Sequence, residues 1–178
     1  MIGRLLRPLR CDPARSPLNH PGLQAPESIA ISSPEFSDGT VMPMRSAGRG
    51  VGDNISPELR WAGIPTDTRQ LVLLFDDIDV PLRAPLIHNI AILQPDISGL
   101  AAGDIATSAS VRIIPTMLAK DGYSGPRPIP GHGPHRYRFH LLALDISVPG
   151  GVDSPKQLFN TAAGHVLARG ALTGSYER

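Results

Sequence analysis

The stretch Gln70–Leu93, QLVLLFDDIDVPLRAPLIHNIAIL, decides the fold. Leu71 to Phe75 form a short continuous apolar run bounded by polar residues, which reads as a buried strand. That strand runs straight into Asp76, Asp77 and Asp79, so its acids sit at a strand end beside a loop. Pro81 and Pro85 turn the chain, and HNIAIL, His88–Leu93, reads as the next strand. Asp77 and Asp79 stand two residues apart, so in extended chain both point the same way. A hairpin-like return brings His88, eleven residues after Asp77, back to the two carboxylates. Carboxylates beside an imidazole hold an imidazolium or fix its tautomer.

The rest of the chain carries the same strand-and-turn pattern. SIAISS (28–33) alternates as a half-buried strand does, and FSDGTVMP (36–43) reads as a turn at Asp38-Gly39 leading into a second strand. GRGVGDNISPEL (48–59) is a loop, SASVRIIP (108–115) holds a short strand, and residues 120–135 carry four Gly and four Pro and form a long irregular loop. RYRFHLLALDI (136–146) alternates, with Tyr137, Phe139, Leu141 and Ala143 on one face. One helix is expected, within Asp153–Gly170: Ser154 caps it, Pro155 takes its first position, Leu158, Ala162 and Val166 share a face, and Gly170 ends it. ALTGSYER then closes with a strand. With 18 Gly and 19 Pro in 178 residues, a helical bundle is excluded and many short strands are favoured. Strands followed by one late helix favour a β-sandwich or β-rich α+β domain over an alternating parallel sheet. Residues 1–27, rich in Pro and Arg, read as an extended arm with little regular structure, leaving 28–178 as the domain.

Seventeen Lys and Arg against sixteen Asp and Glu give a net charge of +1, so nothing favours nucleic acid or an anionic membrane. Arg4, Arg7, Arg10 and Arg15 make the arm basic, and Ile2, Leu5, Leu6 and Leu9 stand at near-helical spacing, a docking segment or a tail packed on the body. Cys11 is the only cysteine, so no intrachain disulfide forms. No signal-peptide core and no run long enough to span a membrane is present, and the expectation is a cytoplasmic protein.

Chemistry concentrates in a second segment as well, YSGPRPIPGHGPHRYRFH (123–140). His135 and Tyr137 share one side of the strand and offer two donors to a pocket, and Gly125, Gly131 and Gly133 let backbone approach a ligand closely. From the residues alone four readings stay open. The acids and histidines are turn and core groups; or His, Tyr and loop amides hold a phosphoryl anion, with Asp orienting the His. Alternatively Asp77, Asp79, His88 and His135 bind a metal, though no HxxxH or HxH spacing supports it; or a Ser nucleophile works with His and Asp, though no G-x-S-x-G is present.

The two segments resemble the signatures of the phosphatidylethanolamine-binding protein family, in its bacterial, Raf-kinase-inhibitor-like branch. Asp77-Ile78-Asp79-Val80-Pro81 with His88 resembles D-P-D-A-P followed by His, and Gly133-Pro134-His135-Arg136-Tyr137 resembles G-x-H-R-Y. FSDGTVMP, DNISPELRW (53–61) and GHVLARGALTGSYER (164–178) add three further matches in the right order. The resemblance implies a mostly β fold, an antiparallel β-sandwich of a large sheet packed on a smaller one, with few short helices and one helix near the C-terminus. It also implies a small pocket for phosphate, phosphoethanolamine or similar anions, lined by Asp77, Asp79, Pro81, His88, His135 and Tyr137, to which the loop reading adds Gly125; with no evident nucleophile or tight metal set, binding rather than catalysis and no cofactor are expected. His88 is expected to be the imidazolium, held by Asp77 or Asp79, and a cis bond before Pro81 is expected from the family. Relatives bind kinases or proteases through the pocket rim and bacterial members are often dimers, so a protein partner and a homodimer follow as further expectations. Three departures stand out: Ile78 and Val80 make the loop bulkier, and Ile87 replaces an aromatic and removes a π surface from the pocket. In eukaryotic members a C-terminal helix borders the pocket; here the sequence ends at Arg178, soon after the last strand, and a more open pocket is expected.

Overall fold

A computed structural model describes residues 2–178. Five antiparallel strands make the large sheet: β3 (Gln70–Asp77) at the centre, flanked by β4 (Leu86–Leu93) and β7 (His135–Leu144), with β6 (Arg112–Ile113) and β8 (Val166–Tyr176) at the edges. A smaller antiparallel sheet holds β1 (Ala30–Ser32), β2 (Leu59–Ala62) and β5 (Gly99–Leu100). Between the sheets lies the main core, with Leu71, Leu73, Phe75, Tyr137, Phe139, Leu141 and Ala143 facing Leu59, Trp61 and Leu100. The alternation read in β7 is therefore the face turned to the small sheet.

The opposite face of the large sheet is buried too. Val72, Leu74, Ile90, Ile92, Leu142 and Leu144 pack under helix α3 (Pro155–Ala162), through Leu158 and Ala162, and under Leu18 and Leu23 of the N-terminal segment. This is why Leu71–Phe75 reads as an unbroken apolar run: a central strand covered on both faces has no side that needs polar residues. The same geometry sorts the acids. Asp77 continues the face of Phe75 toward the small sheet, while Asp76 lies on the other face, where Arg138 grips it bidentately at 2.8 and 3.1 Å.

Several elements differ from the sequence reading. The helix is half as long as expected, because Gly164 adopts φ +83° and ends it. Val166 and the residues after it as far as Tyr176 join β8, whose buried positions Ala168, Gly170, Leu172 and Gly174 alternate at period two. Gly170 lies inside that strand, where a Cβ would overlap the Ile29 carbonyl. Ser154 occupies the cap position without a side-chain cap bond. FSDGTVMP makes its turn at Gly39, φ +77°, but Val41 forms only one isolated bridge to Ser175 before Pro43 intervenes. Strands β2 and β5 and a single turn of helix, α2 (Asp104–Thr107), are too short to stand out from the surrounding turn formers.

Residues 2–27 lie along the domain. A short helix, α1 (Ile2–Leu6), is followed by three single 3-10 turns at Pro13–Arg15, Pro17–Asn19 and Pro21–Leu23. Each turn starts on a proline preceded by a capping side chain: Asp12, Ser16 and His20 accept from the amides of Ala14, Leu18 and Gly22. Cys11 is buried against Ile78 and Val80 and donates its thiol to the Ile78 carbonyl at 2.9 Å. The bulk at 78 and 80 thus forms the apolar seat of the arm.

Candidate functional site

The open ends of β3, β4 and β7 meet the loops 48–54, 80–82 and 118–129 around a cleft of about 910 Å³. Five of the seven residues singled out from sequence line it: Asp77, Pro81, His88, Gly125 and His135. Tyr137 lies one layer beneath its floor, and Asp79 turns away.

Strand β3 ends at Asp77, so the extended geometry that would align the two acids stops between them. The Asp77 carboxylate accepts the Asp79 amide at 2.9 Å and stays at the cleft. Asp79 bends toward the arm. It accepts from the Arg136 amide at 2.8 Å, from the Arg136 guanidinium at 2.8 and 3.0 Å, and lies 3.6 Å from Arg10 Nε. Burial pushes the Asp79 carboxyl upward, but the hydrogen bonds and charge of Arg136, with the charge of Arg10, outweigh it and hold the group below its ordinary value. No peptide bond among the described residues is cis, so Val80–Pro81 is trans.

The two histidines exchange the roles expected of them. A β-bulge opposite Phe75 and Asp76 leaves His88 outside the strand register and aims its ring into the cleft. Its Nδ1 donates to the Ser124 carbonyl at 2.9 Å, and the ring stands edge-on to Phe75 and Tyr137. Burial lowers its pKa, against the pull of that carbonyl and of Asp77 and Asp76, so His88 is a neutral imidazole with a bare Nε2. Asp77 instead holds His135, Oδ2 to Nδ1 at 2.7 Å, with both side chains buried. The other nitrogen of His135, Nε2, lies 2.6 Å from His132 Nδ1, so His135 has no free ring nitrogen to offer a ligand.

Tyr137 is fully buried, pairs with Asp77 across the sheet and stacks on Phe75. Its hydroxyl lies near the Asp77 carboxylate and the Arg127 backbone amide but meets no partner at hydrogen-bond geometry. Burial first, and then the charge of Asp77, raises its pKa and keeps the phenol protonated, a donor without an acceptor.

Asparagines that the sequence reading passed over set the loop wall. Asn54, at φ +58°, donates to the Tyr123 carbonyl and accepts from the Gly125 amide; Asn89, next to His88, accepts from the Ser124 amide and bonds the Gly122 carbonyl. Gly125 packs so closely on the Ser46 carbonyl that a Cβ would overlap it. Asn54 belongs to the DNISPELRW motif and Asn89 follows His88 directly, the only sequence signals they gave. An aromatic does line the cleft: it is Tyr123, while Ile87 packs into the core under α3. Arg49, Lys120 and Arg127 stand at the rim with Asp53 and Asp121. The tetrad Asp77, Asp79, His88 and His135 does not converge as a ligand set, and no group of three or more His, Cys, Asp or Glu among the described residues is placed to hold a metal. No helix among the described residues is long and apolar enough to cross a membrane.

A sandwich whose large sheet ends in this Asp–His floor, with Tyr137 beneath it, defines a class, and comparison with known proteins agrees. The family model for phosphatidylethanolamine-binding protein matches residues 32–177, and the chain belongs to that family. A UPF0098 protein of Chlamydia muridarum is 37% identical over 160 residues, covering 84% of this chain and 99% of its own. A homologue of phosphatidylethanolamine-binding protein from Chlamydia trachomatis, CT736, is 31% identical with a TM-score of 0.73, covering 85% and 99%. YbcL of Escherichia coli shares the fold at 21% identity, with a TM-score of 0.75 and the same coverage.

Proposed function

We propose that the cleft binds a small phosphorylated or similar anionic ligand, and that the protein acts by binding rather than by breaking bonds. The observation that carries this reading is the Tyr137 hydroxyl: a buried donor without an acceptor, one layer beneath the cleft floor. Leaving a buried polar group unpaired costs about 1–3 kcal/mol, which an oxygen acceptor from a ligand would relieve. The carboxylate there is offset by its imidazole partner, and the rim carries three cations against two acids. Phosphoryl oxygens would accept from Tyr137 and the rim cations, and a protonated phosphate oxygen would donate to the bare Nε2 of His88. The ammonium of phosphoethanolamine would meet Asp53 or Asp121.

Calorimetric titration with inorganic phosphate and with phosphoethanolamine tests the reading. Tyr137→Phe removes only the hydroxyl and is expected to weaken both ligands by about tenfold, the range of a hydrogen bond to a charged group. Equal affinity in the wild type and Tyr137→Phe would refute the site.

A further inference from the structure

The cleft histidine is wired to the N-terminal arm. From Asp77 Oδ2 the contacts run to His135 Nδ1 at 2.7 Å, from His135 Nε2 to His132 Nδ1 at 2.6 Å, and from His132 Nε2 to the Leu6 carbonyl at 2.9 Å and the Leu9 carbonyl at 3.2 Å. His132, His135 and Asp77 are all buried, at 0%, 1% and 2% exposure, so water does not interrupt the chain. Both terminal acceptors belong to the arm.

The bonding pattern fixes how many protons the relay holds. A carbonyl only accepts, so His132 Nε2 carries a hydrogen. The short contact between the two rings needs one hydrogen between them, and the contact of His135 with a carboxylate needs another. An ionised Asp77 therefore leaves one positive charge to be shared by two imidazoles, and it resides on either His132 or His135.

Arg10 decides between them. Its Nη1 stands 2.8 Å from His132 Nε2 and 3.1 Å from His132 Nδ1. A position so close to both nitrogens in the ring plane would overlap the carbon between them, so the guanidinium lies over the ring face. It is held there by bonds to the carbonyls of Arg7, Leu9 and His132. A cation in that place repels a second charge on His132, and Asp77 attracts it to His135. The groups facing His135 are Asp77 from β3, Tyr137 from its own strand, and His132 with Arg10 behind it, while His88 from β4 stands edge-on to Tyr137.

We infer that Arg10 acts as a positioning group that drives the relay's charge off His132, against the pull of the Leu6 and Leu9 carbonyls, and onto His135, making a cation beside the cleft that offsets Asp77. The consequence for ligand affinity rests on the anion-binding reading of the cleft; the proton placement does not.

Nitrogen-15 NMR of the histidine rings in the ligand-free full chain reads the placement directly. His135 is expected to be protonated on both nitrogens and His132 on Nε2 alone. Arg10→Gln, at an exposed position, is expected to let the Leu6 and Leu9 carbonyls draw the charge toward His132 against the pull of Asp77, so that His135 Nε2 loses part of its proton while Nδ1 keeps its own. Arg7→Gln removes an equal charge from the same arm, but Arg7 bonds the Gly131 carbonyl and not the ring, so His135 should not change. A wild-type His135 with a single protonated nitrogen, or an Arg10→Gln spectrum identical to wild type, would overturn the inference. Phosphate affinity in Arg10→Gln should fall several-fold more than in Arg7→Gln; equal losses would show that only the arm's overall charge matters and would also overturn it. If the NMR pattern holds while wild type fails to bind phosphate, the relay stands and the reading of the cleft falls.

Discussion

Asp77 and Asp79 stand two residues apart, and both are buried, at 2% and 6% exposure, yet they take different partners. Asp79 is gripped by a guanidinium, which keeps its proton at any pH a protein survives. It is a permanent clasp, joining the loop after β3 to the start of β7 and to the arm. Asp77 is paired with the imidazole of His135, whose other nitrogen is shared with His132. The imidazole pair faces the cleft and the guanidinium pair faces the arm, so one short motif supplies both the chemistry and the fastening.

Removing each acid's partner should therefore have unequal effects. His135→Ala strands the Asp77 carboxylate in the buried floor. The expected loss is about 3 kcal/mol of stability, read by urea denaturation, and at least tenfold in phosphate affinity, since an uncompensated negative charge then faces the ligand. A His135→Ala protein as stable as wild type would show that the pair carries no weight. Arg136→Ala should be milder, about 1 kcal/mol, because the Arg136 side chain is 58% exposed and Asp79 keeps the Arg136 amide and Arg10. Phosphate affinity should not change. A tenfold loss in Arg136→Ala would place Asp79 in the binding chemistry after all.

The smallest effect is in the pH profile of stability. At Asp76 burial favours the neutral acid, but the nearby His140 imidazole, 3.6 Å away, and the bidentate hydrogen bonds of Arg138 outweigh it; Asp76 and Asp79 are both held below the ordinary carboxylate range. Groups depressed in this way stabilise the fold above their unfolded values and lose that contribution as pH falls through their folded ones. His88 is also depressed, but as a base: below its ordinary 6.5 the unfolded chain takes up the proton first, so stability declines as pH drops from there. Two acid-side losses are expected, the first beginning near pH 6.5 and absent in His88→Gln, the second in the carboxylate range. A single loss in the carboxylate range in wild type would mean that His88 charges freely in the fold.

The central strand pair was legible because burial on both faces leaves a continuous apolar signal, and the cleft residues because strand ends concentrate acids and histidines beside Gly/Pro loops. What escaped was set by tertiary contact. The direction taken by Asp79 depends on where β3 stops and on Arg136 across the sheet, and alternation alone cannot supply that. The division of labour between His88 and His135 depends on a bulge and on the Ser124 carbonyl. Val166 fitted a helical stripe as well as a strand, and pairing with β7 decided the matter. The prolines at 13, 17 and 21, read as marks of an extended arm, in fact start three capped turns.

The most direct measurement is an amide chemical-shift titration of the full chain with inorganic phosphate. Saturable shifts that fit a single affinity are expected at His88, Ser124, Gly125 and Tyr137, with the amides around Asp79 and Arg136 unmoved. Shifts confined to exposed arginines outside the cleft, or growing with phosphate without saturating, would contradict anion binding at this site.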